Sequence, residues 1–279
     1  MSASDPPSIA PVAVGRAPLD LVQVRKSLDA KRLGTKFHYF TEIGSTNSQA
    51  RELAEKGAAE GEVVVAECQS QGRGRLGRRW ESPALANLYF SVILRPKLAP
   101  LHAPQITLMA AVALIESVGA FFAEKATIKW PNDILVNGKK LAGILAEAVC
   151  VRERVEYVIL GIGVNVNYPI NRMPEELHQR ATSLLDLTRI EVNRESFFRR
   201  LIQDLDRCYG DLERSGFGAL APRWEAHFGL RGQRVRIESL EQIIVGRARG
   251  IAQDGALLVE GDDGTLQRII AGDVIPLET

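Results

Sequence analysis

The residues best suited to chemistry lie in Gly72-Arg73-Gly74-Arg75-Leu76-Gly77-Arg78-Arg79-Trp80, a glycine loop with four arginines placed after the apolar run Val63-Val64-Val65-Ala66. Glycines lower the steric cost of tightly curved backbone, and guanidinium forks match phosphate oxygens in pairs, so the loop is predicted to meet a phosphate-bearing ligand. Three further segments carry usable groups. In Lys129-Trp130-Pro131-Asn132-Asp133 the proline biases Trp130 towards extended backbone and predicts a sharply turning strand end; Asp133 there suits either magnesium beside phosphates or an ordinary Asx turn. In Gly138-Lys139-Lys140-Leu141-Ala142-Gly143-Ile144-Leu145-Ala146-Glu147 two lysines precede a strand, offering a fixed positive charge for a developing oxyanion or a solvated hairpin tip. Gly161-Ile162-Gly163-Val164-Asn165-Val166-Asn167 reads as a central strand with glycines where something approaches the backbone closely.

Gly72, Gly74 and Gly77 also match the dinucleotide pattern G-x-G-x-x-G, but the context is wrong. That pattern opens a helix and is followed about 20 residues on by an acid for the ribose. Here the loop leads into Asn87-Leu88-Tyr89-Phe90-Ser91-Val92-Ile93-Leu94, a strand by its aromatic and β-branched content, and no acid occurs between Glu81 and Glu116. No P-loop sequence is present either.

The elements that must position these groups form an α+β pattern. Thr46 to Lys56 is predicted as a helix with Ser45 as N-cap, and 62–68 and 87–94 as strands flanking the arginine loop. Pro104 to Phe122 has helical length and periodicity, and strands are predicted at 126–130, 133–137, 141–149 and 155–166. Their hairpin spacing favours a mixed, largely antiparallel sheet with packed helices. Glu195 to Ser215 is a second long helix with Phe197, Phe198, Leu201, Ile202, Leu205 and Leu212 as its apolar stripe. Past a boundary near Gly229, β-branched segments alternate with turns such as Asp254-Gly255 and Asp262-Asp263-Gly264, predicting a small barrel.

Composition narrows the classes. A chain of 279 residues with 46% hydrophobic content can build its core unaided. Its 35 basic and 34 acidic residues nearly cancel, so the arginine loop is a local concentration, and nonspecific nucleic-acid binding is disfavoured. Cys68, Cys150 and Cys208 are odd in number and far apart, as expected of reduced core thiols. No apolar segment looks long enough to span a membrane, residues 1–18 lack the pattern of a signal peptide, and a cytoplasmic protein is expected.

Taken together, the segments resemble the catalytic domain of the biotin protein ligases. The resemblance rests on Ser45-Thr46-Asn47, Gln69, Gly72 to Trp80, Lys129 to Asp133, Lys140 to Leu145 and Gly161 to Asn165, in the family's order across roughly residues 40 to 230. It implies a class II synthetase-like catalytic domain over 37–228, an SH3-like barrel over 229–279 and a partly disordered N-terminal extension over 1–36.

The activity implied is ligation in two steps. Biotin and MgATP form biotinyl-5′-AMP, and the activated carboxyl then passes to one lysine of a biotin carboxyl carrier protein. ATP and Mg2+ take part without any tightly bound cofactor. By the same resemblance Ser45, Thr46, Asn47, Gln69, Gly72, Arg73, Lys140 and Gly143 hold biotin. Arg73, Arg75, Trp80, Asn132, Lys140 and Asn165 face the nucleotide. Arg75 and Lys140 act on the reacting groups, and Asp133 serves Mg2+. The glycine loop is expected to order over the adenylate, a mixed anhydride that water destroys.

Some family members carry an N-terminal helix-turn-helix domain and repress biotin genes. Residues before the match begin with a Pro-rich tail and offer one helix, Leu19 to Leu33, so a short ligase without repressor activity is expected. Neither a nucleic acid nor a membrane is an expected partner, and a homodimer is left open. A lipoate ligase would carry a Gly-Gly-Gly motif that is absent here, and an RNA-binding barrel would offer aromatic residues for stacking, which residues 230–279 lack.

Overall fold

The computed structural model describes residues 17–122, 125–238 and 243–277. Twelve strands alternate with short and long helices among them. The larger sheet comprises β1 (Lys36–Phe40), β2 (Glu62–Ala66), β3 (Leu88–Leu94), β4 (Ala126–Lys129), β5 (Asp133–Val136), β6 (Lys139–Val151) and β7 (Arg154–Val164), in the order β1-β2-β3-β7-β6-β5-β4. Only β1 and β2 run parallel; every other pair is antiparallel. This is the mixed, largely antiparallel sheet that the hairpin spacing implies. Helices α1 (Leu21–Lys26), α2 (Thr46–Glu55), α3 (Gln105–Gly119), α4 (Glu175–His178), α5 (Leu184–Thr188), α6 (Arg194–Ser215) and α7 (Ala221–Glu225) complete it.

Strand alternation gives the sheet two different faces. Val63, Val65, Leu88, Phe90, Val92, Leu160 and Ile162 share one core with α3 and the stripe of α6, and the Phe90 and Phe198 rings meet edge-on at 4.9 Å. On the other face Val64, Ile93, Tyr157 and Ile159 pack against Ala50 and Ala54 of α2. Because both faces are covered, β3 is buried at every residue, and its sequence is correspondingly apolar. The candidate site lies on the α2 face, where Tyr89, Ser91, Gly161 and Gly163 occupy the alternate positions.

Several expectations need correction. The stretch Pro100–Gly119 is long and apolar enough to cross a membrane by composition, but 67% of it is buried and it serves as the core helix between sheet and α6. The N-terminal helix stops at Lys26 and does not continue to Leu33, because Asp206 on α6 accepts from the backbone N–H groups of Lys31, Arg32 and Leu33 at 2.8–3.0 Å and so draws that backbone out of the helix. Cys208 is a buried core thiol, but Cys68 is half-buried and Cys150, near the exposed end of β6, is exposed. Residues 1–16, where the Pro-rich tail was expected to fray, lie outside the described residues.

The C-terminal module is a five-stranded antiparallel sheet of β8 (Arg234–Glu238), β9 (Ile243–Ile251), β10 (Leu257–Glu260), β11 (Leu266–Ile269) and β12 (Asp273–Pro276), in the order β11-β10-β9-β8-β12. It is fastened to the larger sheet's surroundings by Trp130 Nε1 donating to Gly255 O (3.2 Å), Gln105 Nε2 donating to Gln253 O (3.2 Å) and Ile251 N donating to Glu225 Oε1 (2.7 Å). Through Trp130 that attachment reaches the turn carrying Asn132 and Asp133.

Candidate active site

The floor of the site is one cross-strand row. Asp133 on β5, Gly143 on β6, Gly163 on β7 and Tyr89 on β3 are successive register partners. The row beside it runs through Leu145, Gly161 and Ser91. The glycines leave bare backbone on which other groups lie: the Asn47 amide fits over Gly161, where a Cβ would stand 2.0 Å from Asn47 Oδ1.

One wall is the start of α2. Ser45 occupies the N-cap position, but its side chain caps nothing. Gln69 does this work from three residues past β2: its Oε1 accepts from Thr46 N (2.9 Å) and Thr46 Oγ1 (3.1 Å), while its Nε2 donates to Ser82 Oγ (3.0 Å). Ser91 Oγ donates to Thr46 Oγ1 (2.8 Å) and lies 2.6 Å from Asn47 Oδ1. Asn47 Nδ2 donates to Leu145 O and Glu147 Oε2. Asn47 lines the cavity together with Ser45, Thr46 and Gln69, but its amide is committed to bracing α2 against β6 and β7.

The arginine loop forms the lid-side wall as a hairpin-like turn. Gly74 N donates to Arg78 O (2.7 Å) and Trp80 N to Gly72 O (3.0 Å), with positive φ at Leu76 (54°) and Gly77 (73°) turning the chain. A Cβ on Gly72 would stand 2.4 Å from Trp80 O, so only glycine closes this turn. Arg73 pairs with Glu147 at 2.5 Å. Arg75 reaches Asn132 Oδ1 and Gly272 O, each at 3.2 Å, and stands 3.7 Å from Asp273; Arg78 pairs with the same Asp273. Burial pulls the Arg75 pKa below its ordinary value, opposed by the carboxylates of Asp273 and Asp133, and a guanidinium starting that high remains charged.

Lys140 and Asp133 face each other with Nζ 2.7 Å from Oδ1, and the ammonium lies 5.2 Å from the centre of the Trp80 ring. Asn132 is held by exchange with Ile144: its Nδ2 donates to Ile144 O and its carbonyl accepts from Ile144 N, both at 2.9 Å. Two adjoining cavities result. The first, about 130 Å³, is lined by Thr46, Gln69, Arg73, Arg75, Lys140 and Gly143; the second, about 630 Å³, by Trp80, Lys140, Asn165, Met173, Ala181 and Ile275. Asn165 stands in the second with its Nδ2 donating to Thr182 O (3.0 Å). Every predicted site residue therefore gathers around the two cavities or the loop between them.

Sequence reasoning missed Ser82, Ser91, Glu147 and Asp273 as members of this constellation. Ser91 had a signal, being the one small polar residue within the apolar and aromatic run Leu88–Leu94. Asp273 had none, since it comes from the C-terminal module 195 residues after Arg78. Chemically the arrangement is a set of cations, Arg73, Arg75, Arg78 and Lys140, each balanced by a carboxylate that an anionic ligand can replace. Among the described residues no group of three or more His, Cys, Asp and Glu side chains gathers to hold a metal.

A mixed sheet with a bare glycine floor carries an arginine loop over it and a small β module at its rim. The model of the biotin/lipoate A/B protein ligase family matches residues 39–165, and that of the biotin protein ligase C-terminal domain matches 231–275. The biotin--[acetyl-CoA-carboxylase] ligase of Mycobacterium tuberculosis is 36% identical over 94% of this chain and 97% of its own length. The bifunctional ligase/repressor BirA of Bacillus spizizenii is 37% identical over 90% of this chain and 77% of its own. Among solved structures, the biotin protein ligase of Aquifex aeolicus in complex with biotin and ATP superposes with a TM-score of 0.76 at 27% identity, covering 88% of this chain and all of that one. The chain belongs to the biotin/lipoate A/B protein ligase family. Within it, the relatives place the chain with the ATP-dependent biotin ligases.

Proposed function

We propose that this biotin ligase acts in two steps on biotin, ATP and a biotin carboxyl carrier protein, and that it has no repressor activity. In the first step a biotin carboxylate oxygen attacks the α-phosphorus of ATP and pyrophosphate leaves. In the second the amine of one carrier lysine attacks the acyl carbon and AMP leaves. Repulsion between two anions opposes the first step, so the site must neutralise both and hold them in line. The observation that carries this reading is the placement of Lys140 at the junction of the two cavities, between the polar wall of Thr46 and Gln69, where Arg75 also stands, and the wall of Trp80 and Asn165.

Biotin occupies the smaller cavity, with Ser45, Thr46 and Gln69 reading its polar groups and the backbone of Gly72, Arg73 and Gly143 closing on it. Asn47 acts there by bracing α2. The nucleotide enters the larger cavity against Trp80 and Asn165, with its phosphates turned towards Arg73, Arg75 and Asn132 in the smaller one. Lys140 exchanges Asp133 for the reacting oxyanions. Magnesium suits this site in the manner usual for ATP, taking one or two carboxylates and the phosphates themselves; Asp133 is the carboxylate on the phosphate side, and the ion when bound offsets phosphate charge. The catalytic unit spans 37–228 and the C-terminal module 229–279, and the reaction takes place in the cytoplasm.

The test is intact-mass analysis of a biotin carboxyl carrier domain after incubation with this protein, biotin and MgATP, beside lipoate and no-ATP reactions. An ATP-dependent biotin adduct on one lysine is expected. No adduct and no biotin-dependent pyrophosphate release would refute the assignment.

A further inference from the structure

The indole of Trp80 rests directly on sheet backbone. Gly143 and Gly163 oppose each other in register on β6 and β7. A Cβ on Gly163 would stand 2.5 Å from Cε2 and 2.7 Å from Nε1 of Trp80, and one on Gly143 would stand 2.9 Å from its Cζ3. Neither glycine has a left-handed φ, so no turn requires it; close approach of the ring is the physical reason for the missing side chains. The Trp80 ring lines both cavities, and its Nε1 is buried with no hydrogen-bond partner among the described residues.

We infer that Gly163 is a positioning residue for the nucleotide: its bare Cα sets how deep the Trp80 ring lies, and so how much of the larger cavity the nucleotide can use. The inference rests on the proposed placement of the nucleotide beside Trp80. Ordinary carbon contacts need 3.4 Å or more, so a methyl at 163 lifts the ring by about 1 Å into that cavity, a displacement of the size that costs about a hundredfold when it misplaces a reactant. Gly143 is less selective, because its Cβ would also meet Lys140 Nζ at 3.1 Å.

Gly163→Ala is expected to raise KM for ATP roughly ten- to a hundredfold, with a smaller change in kcat and a smaller loss of biotin affinity measured calorimetrically without ATP, because Gly163 and the Trp80 ring also line the smaller cavity. In a Trp80→Ala background, where no ring remains to be lifted, the same substitution is expected to leave KM for ATP unchanged. An equal effect in both backgrounds, or a matching loss of biotin affinity, would overturn the seat. If Gly163→Ala alone does not fold, recovery of a folded, biotin-binding protein by adding Trp80→Ala supports it, and failure of that double variant to fold overturns it. Trp80→Ala with an unchanged KM for ATP would instead refute the placement of the nucleotide. The seat is then read from the Trp80 contribution to fluorescence, taken as the difference from Trp80→Phe: a red shift in Gly163→Ala supports it and an unchanged spectrum overturns it.

Discussion

Replacing Gln69 with leucine removes the side chain that joins the chain past β2 to the start of α2. Gln69 is 9% exposed and makes three hydrogen bonds, two accepted from Thr46 and one donated to Ser82. Two of the partners keep other bonds: Thr46 Oγ1 still accepts from Ser91 Oγ, and Ser82 Oγ still donates to Trp80 O. The Thr46 N–H is left without an acceptor among the described residues, and it belongs to a helix end whose own N-cap, Ser45, supplies none. An orphaned buried N–H costs about 1–3 kcal/mol and the other two bonds about 1 kcal/mol each, partly offset by the apolar area leucine buries, so the expected loss is about 2–4 kcal/mol. Thr46→Val removes both hydroxyl bonds, the one to Gln69 and the one from Ser91, but keeps the backbone N–H bond to Gln69, and is expected to cost about 1–2 kcal/mol. Urea unfolding with unchanged m-values measures both. A loss below about 1 kcal/mol for Gln69→Leu, or equal losses for the two variants, would show that backbone capping by Gln69 does not hold this wall in place.

Arg75→Ala should shorten retention of preformed biotinyl-5′-AMP roughly ten- to a hundredfold, the equivalent of one charge-assisted hydrogen bond of about 1.5–3 kcal/mol; unchanged retention together with unchanged biotin affinity would defeat its role. The buried Arg194–Glu67 pair, 2.6 Å apart with side chains 7% and 2% exposed, also binds Ala17 O and Leu19 N. Arg194→Met leaves Glu67 uncompensated and should lower stability by about 3–5 kcal/mol in chemical denaturation, with part of the loss recovered by adding Glu67→Gln; a loss under about 1 kcal/mol would contradict the burial argument. In thiol labelling of the folded protein Cys150 should react first, while burial pushes the Cys208 thiol up to about 11, so that at pH 8 only about one in a thousand is ionised even before access is counted. Labelling of Cys208 as fast as Cys150 without unfolding would count against this packing.

Much of the framework is legible locally, since a strand's alternation and a helix's stripe report burial without knowledge of the partner. The long helix at Arg194–Ser215, the strands β2 to β7 and the glycines of the arginine loop were all readable in this way. Tertiary structure decided what lies opposite each of these. The helix predicted to reach Leu33 ends at Lys26 because a carboxylate 173 residues away claims its backbone. The cap of α2 comes from Gln69 and not Ser45, because the chain past β2 pairs at Gln69 with Ile43, just ahead of that helix. Asp273 joins Arg75 and Arg78 only because the C-terminal module is seated beside the catalytic turn by Trp130 and Gly255. Residue types and local periodicity determine which groups can carry charge, bend or bury. Strand register and the docking of distant segments determine which of them meet, because a partner across a sheet or a module boundary leaves no trace in the local pattern of either residue.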